Sequence, residues 1–272
     1  MTRALVYALL LLGAVLFTMP FVWTVTTALK SSEQVFQVPP QWLPSPPQWG
    51  NFAKAWTALP FTSFVFNTLF VAVVATFGGI LTSSLVAYGF SRFKFRYRNL
   101  LFMLLLSTMM LPPQVTMIPV FLIWRSFGMI DTFWPLTFPA FLGGGAFNIF
   151  LLRQFFLTVP REYDEAAMLD GASYLRIWWS VLMPLSKPAL VTVVLFSFLG
   201  HWDEFNGPLI YLNSPEKYTV SIGLRMFQDQ FGVDLELLMA AALIHIVPTI
   251  LLFFVAQKYF IRGIALSGLG GR

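Results

Sequence analysis

The chain has no cysteine among its 272 residues, which excludes disulfides, zinc–thiolate sites and cysteine nucleophiles. Charge is scarce as well. Charged residues make up 11% of the sequence and hydrophobic residues 57%, whereas an ordinary soluble domain carries about 25% charged. This shortage excludes a soluble globule and implies an integral membrane protein. The two histidines, His201 and His245, stand apart from each other and from any partner at ligand spacing, so they read as bundle histidines and not as a metal site. Gly143-Gly144-Gly145 is not followed by Lys-Ser/Thr, which removes a Walker-type phosphate loop and with it ATP hydrolysis by this chain. H-E-x-x-H and G-x-S-x-G are missing too. Asp203 and Glu204 are adjacent, and neighbouring helical positions face different ways. No catalytic residues, metal or cofactor are therefore expected, and a membrane enzyme lacks its constellation.

Long apolar runs are plentiful. They fall at about residues 4–29, 64–90, 100–124, 134–157, 187–211 and 237–259, each near or above the roughly 20 residues that cross a bilayer as a helix. The expected fold class is an all-α integral membrane protein with six transmembrane helices and a short cytoplasmic helix between the fourth and fifth. The first run is too long for the apolar region of a signal peptide, so a retained helix is expected. Residues 30–63 are rich in Pro and Trp, which suits an external loop with tryptophans in the headgroup layer. Gly78-Gly79 and the Thr82, Ser83 and Ser84 that follow permit close helix crossing in the second span.

Two spans carry polar groups at membrane depth. The third is interrupted by Pro112, Pro113 and Pro119; each proline removes a backbone donor, and the freed carbonyls must face protein or a water-filled cavity. Gln114 and Thr116 lie beside that break. The fifth holds Asp203, Glu204 and Asn206, and an intramembrane Asp costs about 2.5–3.5 kcal/mol unless it meets a cavity or a partner. At helical rise Asp203 stands roughly 24 Å from Lys187, in the outer half of the span. These five residues are the pathway candidates. A plain kink at the prolines accounts for Gln114 and Thr116 equally well, and a rim anchor is the alternative at Asp203, where a pore-facing position is the preferred reading.

The net charge is +5. Arg92, Lys94, Arg96 and Arg98 place four cations in seven positions, a density that suits nucleic acid, but directly after a span it is better explained by a short cytoplasmic loop beside anionic membrane lipid. No nucleic-acid partner is expected. With the amino terminus inside, Arg3, Arg92, Lys94, Arg96, Arg98, Arg153, Arg161, Arg176, Lys187, Lys258, Arg262 and Arg272 are cytoplasmic, twelve of the seventeen basic residues. Both termini are thus expected inside.

The most charged stretch of the second half lies in the loop at about 158–186 and reads P-R-E-Y-D-E-A-A-M-L-D-G-A-S-Y-L-R-I-W-W-S-V-L-M-P from Pro160 to Pro184. Pro160 suits a first helical turn, Glu162, Asp164 and Glu165 complement the positive end of the helix dipole, and Gly171 suits a stop. A helix of at most three turns is not stable alone, so it must rest on something. Ala166 and Ala167 form a small patch that lets another backbone approach, while the carboxylates offer ion pairs to a basic partner. On physics alone a helix lying on lipid is an equal reading.

Glu165-Ala166-Ala167, then Gly171, then Val181-Leu182-Met183-Pro184 resemble the E-A-A…G…I-x-L-P loop of binding-protein-dependent ABC importer permeases, with Val181 and Met183 as conservative departures. The resemblance extends to A-Y-G-F-S-R-F-K-F from Ala87, to M-M-L-P-P-Q-V-T-M-I-P-V-F from Met109, to W-D-E-F-N-G-P-L from Trp202, where Asp203 takes the usual Asn place, to Asn51-Phe52 and Asn67-Thr68, and to the tail from Gln257. It is nearest to the maltose-type carbohydrate permeases. The resemblance implies one permease domain over residues 1–272 in a bacterial or archaeal inner membrane. It also implies a second, commonly non-identical permease subunit, two ATPase subunits, and an external solute-binding protein that delivers a sugar, glycerol phosphate or polyol. By the same resemblance, Glu162, Asp164, Glu165, Ala166, Ala167 and Gly171 form the coupling helix that sits in a cleft of the ATPase.

Overall fold

Apolar runs of this length satisfy their backbone groups internally as helices, and the structure, a computed structural model, is built almost wholly of them. It describes residues 3–229 and 232–269. Part of the expected last external loop, at 230–231, and the end of the tail, at 270–272, lie outside the described residues. In chain order the helices are α1 (Arg3–Ala28), α2 (Ser32–Val35), α3 (Gly50–Ala58), α4 (Phe61–Arg92), α5 (Arg98–Ser107), α6 (Pro113–Ser126), α7 (Trp134–Thr137), α8 (Ala146–Thr158), α9 (Glu162–Leu169), α10 (Tyr174–Ile177), α11 (Met183–Leu185), α12 (Lys187–Trp202), α13 (Asn206–Tyr211), α14 (Val220–Met226) and α15 (Leu235–Leu269). Strands β1 (Gln228–Asp229) and β2 (Gly232–Val233) form a two-residue antiparallel ladder before α15, pairing Gln228 with Val233 and Asp229 with Gly232.

Among the described residues, four helical stretches are long and apolar enough to cross a membrane, and up to six if each of two bent pairs counts as one span. The first bent pair is Arg98–Met110 with Pro113–Ser126, at 98°. The break falls where two prolines follow each other: Pro112 is extended at φ −60°, ψ 132°, and Pro113 opens α6, the helical position where a missing N–H costs nothing. Pro119, expected to contribute to the interruption, lies inside α6, which continues past it. The second pair is Tyr174–Leu185 with Lys187–Trp202, at 85°. The fourth expected span counts whole among the four, as Trp134–Thr158, but is irregular inside, with a 3₁₀ turn at Phe138–Phe141 and three glycines between α7 and α8.

The chain divides into two compact units. One comprises residues 1–66 and 218–249. Its core joins Ala28, Ala55, Phe61, Phe64, Val220, Phe227, Ala240 and Ala241. The end of α1 is fastened by Asn51, whose Nδ2 donates to Ala28 O (3.0 Å) and Lys30 O (2.8 Å); these carbonyls have no partner within the helix. The buried residues of α1 are Thr26, Thr27 and Ala28; most of its other side chains are exposed, and Trp23 meets Trp42 edge-on at 5.3 Å.

The other unit comprises 67–217 and 250–272, with a core that includes Ala87, Tyr88, Phe102, Ile149, Leu152, Phe156, Trp178, Leu182 and Val193. Gly79 and Gly144 meet backbone to backbone there: a Cβ on Gly144 would stand 2.0 Å from Gly79 O. Asp131, at φ 60°, ties two loops together. Its Oδ1 accepts from the Asn213 and Ser214 amides (2.9 and 3.0 Å), and its Oδ2 accepts from Ser214 Oγ (2.5 Å) and Lys217 Nζ (2.9 Å). Asn67 Nδ2 donates to Glu216 O nearby (2.8 Å).

Candidate functional site

Helix α9 follows α8 after three residues. Its first turn carries Glu162, Asp164 and Glu165 but lacks a side-chain cap, so the acids answer the exposed amides through the dipole alone. The far end is closed by a Schellman arrangement: Gly171 N donates to Met168 O (3.0 Å) and Ala172 N to Ala167 O (2.9 Å), with Gly171 at φ 78°. This left-handed conformation is the reason for glycine there. A Cβ on Gly171 would meet nothing within 4 Å, so the residue is not needed for packing inside this chain.

The six residues expected to form the docking surface divide. Glu162, Glu165, Ala166 and Gly171 are exposed, and Ala167 is half-buried. Asp164 is buried and turns inward, where its Oδ2 stands 2.7 Å from Arg92 Nε. Burial pushes its carboxyl above the usual range, against the pull of Arg92 and then Arg161. Beside the outward carboxylates lie exposed apolar side chains: Tyr163, Met168, Leu169, Leu175 and Trp179, with Leu169 90% exposed. An acidic rim around an apolar, small-residue patch fits a protein partner better than bulk water.

Past α9, Ser173 Oγ accepts from Arg176 N (3.4 Å) to cap α10. The chain then passes through a π-helical stretch at Trp178–Leu182 and bends at Ser186. Trp178 is buried while Trp179 is exposed.

The pathway candidates all stand at helix breaks. Gln114 and Thr116 are exposed on the first turn of α6, just past the 98° bend, and Thr116 Oγ1 donates back to Pro113 O (3.1 Å). The expected fifth span is not one helix: α12 ends at Trp202 and α13 begins at Asn206. Asp203 and Glu204 therefore occupy a non-helical link, and the expectation that they point to different helix faces does not apply. Asp203 and Asn206 are exposed, and Glu204 Oε1 accepts from Gly207 N (2.9 Å). Sequence reasoning missed Arg92 as the partner of Asp164. It also missed Asp131, for which the string G-M-I-D-T gives no signal.

The family described as binding-protein-dependent transport system inner membrane component matches residues 79–266. The chain is 33% identical over 270 residues to the "Probable ABC transporter permease protein YurM" of Bacillus subtilis, covering 98% of this chain and 88% of that one. It is 32% identical to the sn-glycerol-3-phosphate transport system permease protein UgpE of Yersinia enterocolitica, covering 95% and 94%. Among solved structures it is similar to a chain of a bacterial ABC transporter involved in the import of the acidic polysaccharide alginate, at a TM-score of 0.82 and 26% identity, covering 96% of this chain and 99% of that one. The loop motifs, the broken apolar helices and these matches agree, and the chain belongs to the family of binding-protein-dependent transport system inner membrane components, as a permease subunit of an ABC importer.

Proposed function

We propose that this permease imports a hydroxyl-rich solute, a sugar or a glycerol phosphate, and that α9 is its contact with a cytoplasmic ATPase. The solute class is supported by relatives whose names specify sn-glycerol-3-phosphate, sulfoquinovosyl glycerol and alginate, and by polar side chains at the breaks of α6 and α12. In this reading the chain crosses the inner membrane six times with both termini inside, each bent pair forming one span. It pairs with a second permease subunit, works with two ATPase subunits, and receives solute from an external binding protein. Gln114, Thr116, Asp203, Glu204 and Asn206 border the pathway. ATP hydrolysis belongs to the partner, and this chain carries no catalytic step.

The observation that carries the ATPase contact is the outward face of α9, where Glu162 and Glu165 flank Ala166 and the exposed Leu169. Residues three apart on a helix share a face, so the two carboxylates present together to a basic cleft. Glu165→Lys should lower ATPase copurification in detergent by about tenfold or more, the scale of a like charge placed against a charged partner, while membrane insertion is unchanged. Copurification at the wild-type level would leave α9 a passive helix on lipid. The solute is identified separately, by calorimetric titration of the cognate external binding protein with sugars, polyols and glycerol phosphate.

A further inference from the structure

Four contacts gather at the C-terminal end of α4. Arg153 Nε, on α8, donates to Phe90 O (3.4 Å), and Arg161 Nη2, at the entry to α9, donates to Ser91 O (3.5 Å). In the opposite direction Arg92 Nη2 donates to Val159 O (3.0 Å), and Arg92 Nε lies 2.7 Å from Asp164 Oδ2. The last carbonyls of a helix have no partner within it and carry partial negative charge; here two arginines from the α8–α9 region supply it, and α4 returns an arginine of its own. The Arg92 and Asp164 side chains are 6% and 11% exposed. Asp164 Oδ1 and Arg92 Nε are both buried and make no hydrogen bond, so the pair is held by charge at short range and not by an aligned hydrogen bond, and the carboxylate is compensated chiefly by Arg92, with Arg161 acting at longer range.

This arrangement answers a mechanical problem. Helix α9 is eight residues long, joined to α8 by three residues and to α10 through Gly171 at positive φ. Links that short and bent can absorb a small displacement without passing it on. The 32-residue α4, about 48 Å long at helical rise, carries a displacement much further. A desolvated ion pair holds its partners firmly, because separating them leaves a buried charge uncompensated.

We infer that Arg92 and Asp164 are positioning residues that lock α9 to the end of α4, so that a movement of α9 is delivered to α4 as well as to the helices beside it in sequence. The inference rests on the proposed contact between α9 and an ATPase. A motion reaches a second element only if the contact between them persists through both states, and this pair is the one charged contact from α9 into α4 among the described residues.

The test uses the complete importer in proteoliposomes with its external binding protein and measures, per ATP hydrolysed, import of the radiolabelled sugar, polyol or glycerol phosphate that binds that protein in the titration above. Asp164→Asn keeps the side-chain shape and removes the charge. It should leave ATPase copurification at the wild-type level and lower the import-to-hydrolysis ratio by about tenfold, within the range of a lost coupling interaction. Asp164→Glu, which retains the charge, should restore at least half of the ratio. An unchanged ratio in Asp164→Asn overturns the lock, as does failure of Asp164→Glu to rescue. Loss of ATPase copurification in Asp164→Asn also overturns it, by placing Asp164 in the docking surface. Glu165→Lys reports on the ATPase contact independently, so the two failures are told apart.

Discussion

Asp131 shows how one residue can hold a loop without a helix or a strand. Its carboxylate takes two backbone amides, a hydroxyl and an ammonium. The Ser214 hydroxyl, then the Ser214 and Asn213 amides, then Lys217 hold it well below the ordinary value of 3.8. A carboxyl depressed in the folded state contributes stability that is complete above its unfolded value and is lost as pH falls toward its folded one. The difference in melting temperature between wild type and Asp131→Asn should therefore be constant from neutral pH down to about pH 4 and narrow below that, as read by thermal unfolding in detergent. A difference that stays constant down to about pH 2.5 would remove the ionised carboxylate from this account. Asp164 teaches a different lesson. Its three-acid turn was legible in the sequence, but its orientation was not read: at 100° per residue Glu162 and Glu165 share a face while Asp164 falls on another. All three are expected to face outward, whereas the helical wheel already separates them.

At the scale of elements, the breaks were legible to different degrees. Proline acts through its own covalent ring, so the bend before α6 could be placed at Pro112–Pro113 from the sequence alone. The link at 203–205 lies between Gly200 and Gly207-Pro208, residues that favour a break, yet the fifth span is expected to run on to residue 211 whereas α12 ends at Trp202. The three glycines before α8 are followed by no Lys-Ser/Thr, and their use depends on a helix some sixty residues away. Gly143, Gly144 and Gly145 all adopt positive φ, yet only Gly144 among them lies against another backbone, that of Gly79. This separates two costs that a sequence cannot. Gly145→Ala should cost about 1–3 kcal/mol through backbone strain alone, since φ 87°, ψ 142° lies in a positive-φ extended region open almost only to glycine. Gly144→Ala adds an overlap with Gly79 that no side-chain rotation relieves, and should cost at least about 3 kcal/mol. The measurement is the yield of monodisperse protein and its melting temperature. Equal behaviour of the two variants would mean that α4 and the glycine turn do not touch.

For the molecule as a whole, the proposed topology places residues 30–60 and the loop around Glu216 outside and the basic segment at 92–98 inside. Ser45, Asn99 and Glu216 are all exposed, and the chain has no cysteine of its own. Ser45→Cys and Glu216→Cys should react with an impermeant thiol reagent added to intact cells, while Asn99→Cys should react only after the membrane is opened. Reaction at Asn99→Cys alone would invert the arrangement. The family and its apolar spans were legible because hydropathy and short loop motifs are local. The pairing of Arg92 with Asp164 was not, because the two lie 72 positions apart and nothing in either neighbourhood names the other. The π-helical stretch at Trp178–Leu182 has a meaning that reaches beyond this one chain. A π turn holds one residue more than an α turn, so a lineage that lost a residue there would keep a continuous helix. Every side chain after it would nevertheless be turned by about 100° relative to α9. This stretch is thus a place where a change in length, tolerated by folding, would change how α12 is aimed relative to the proposed ATPase contact.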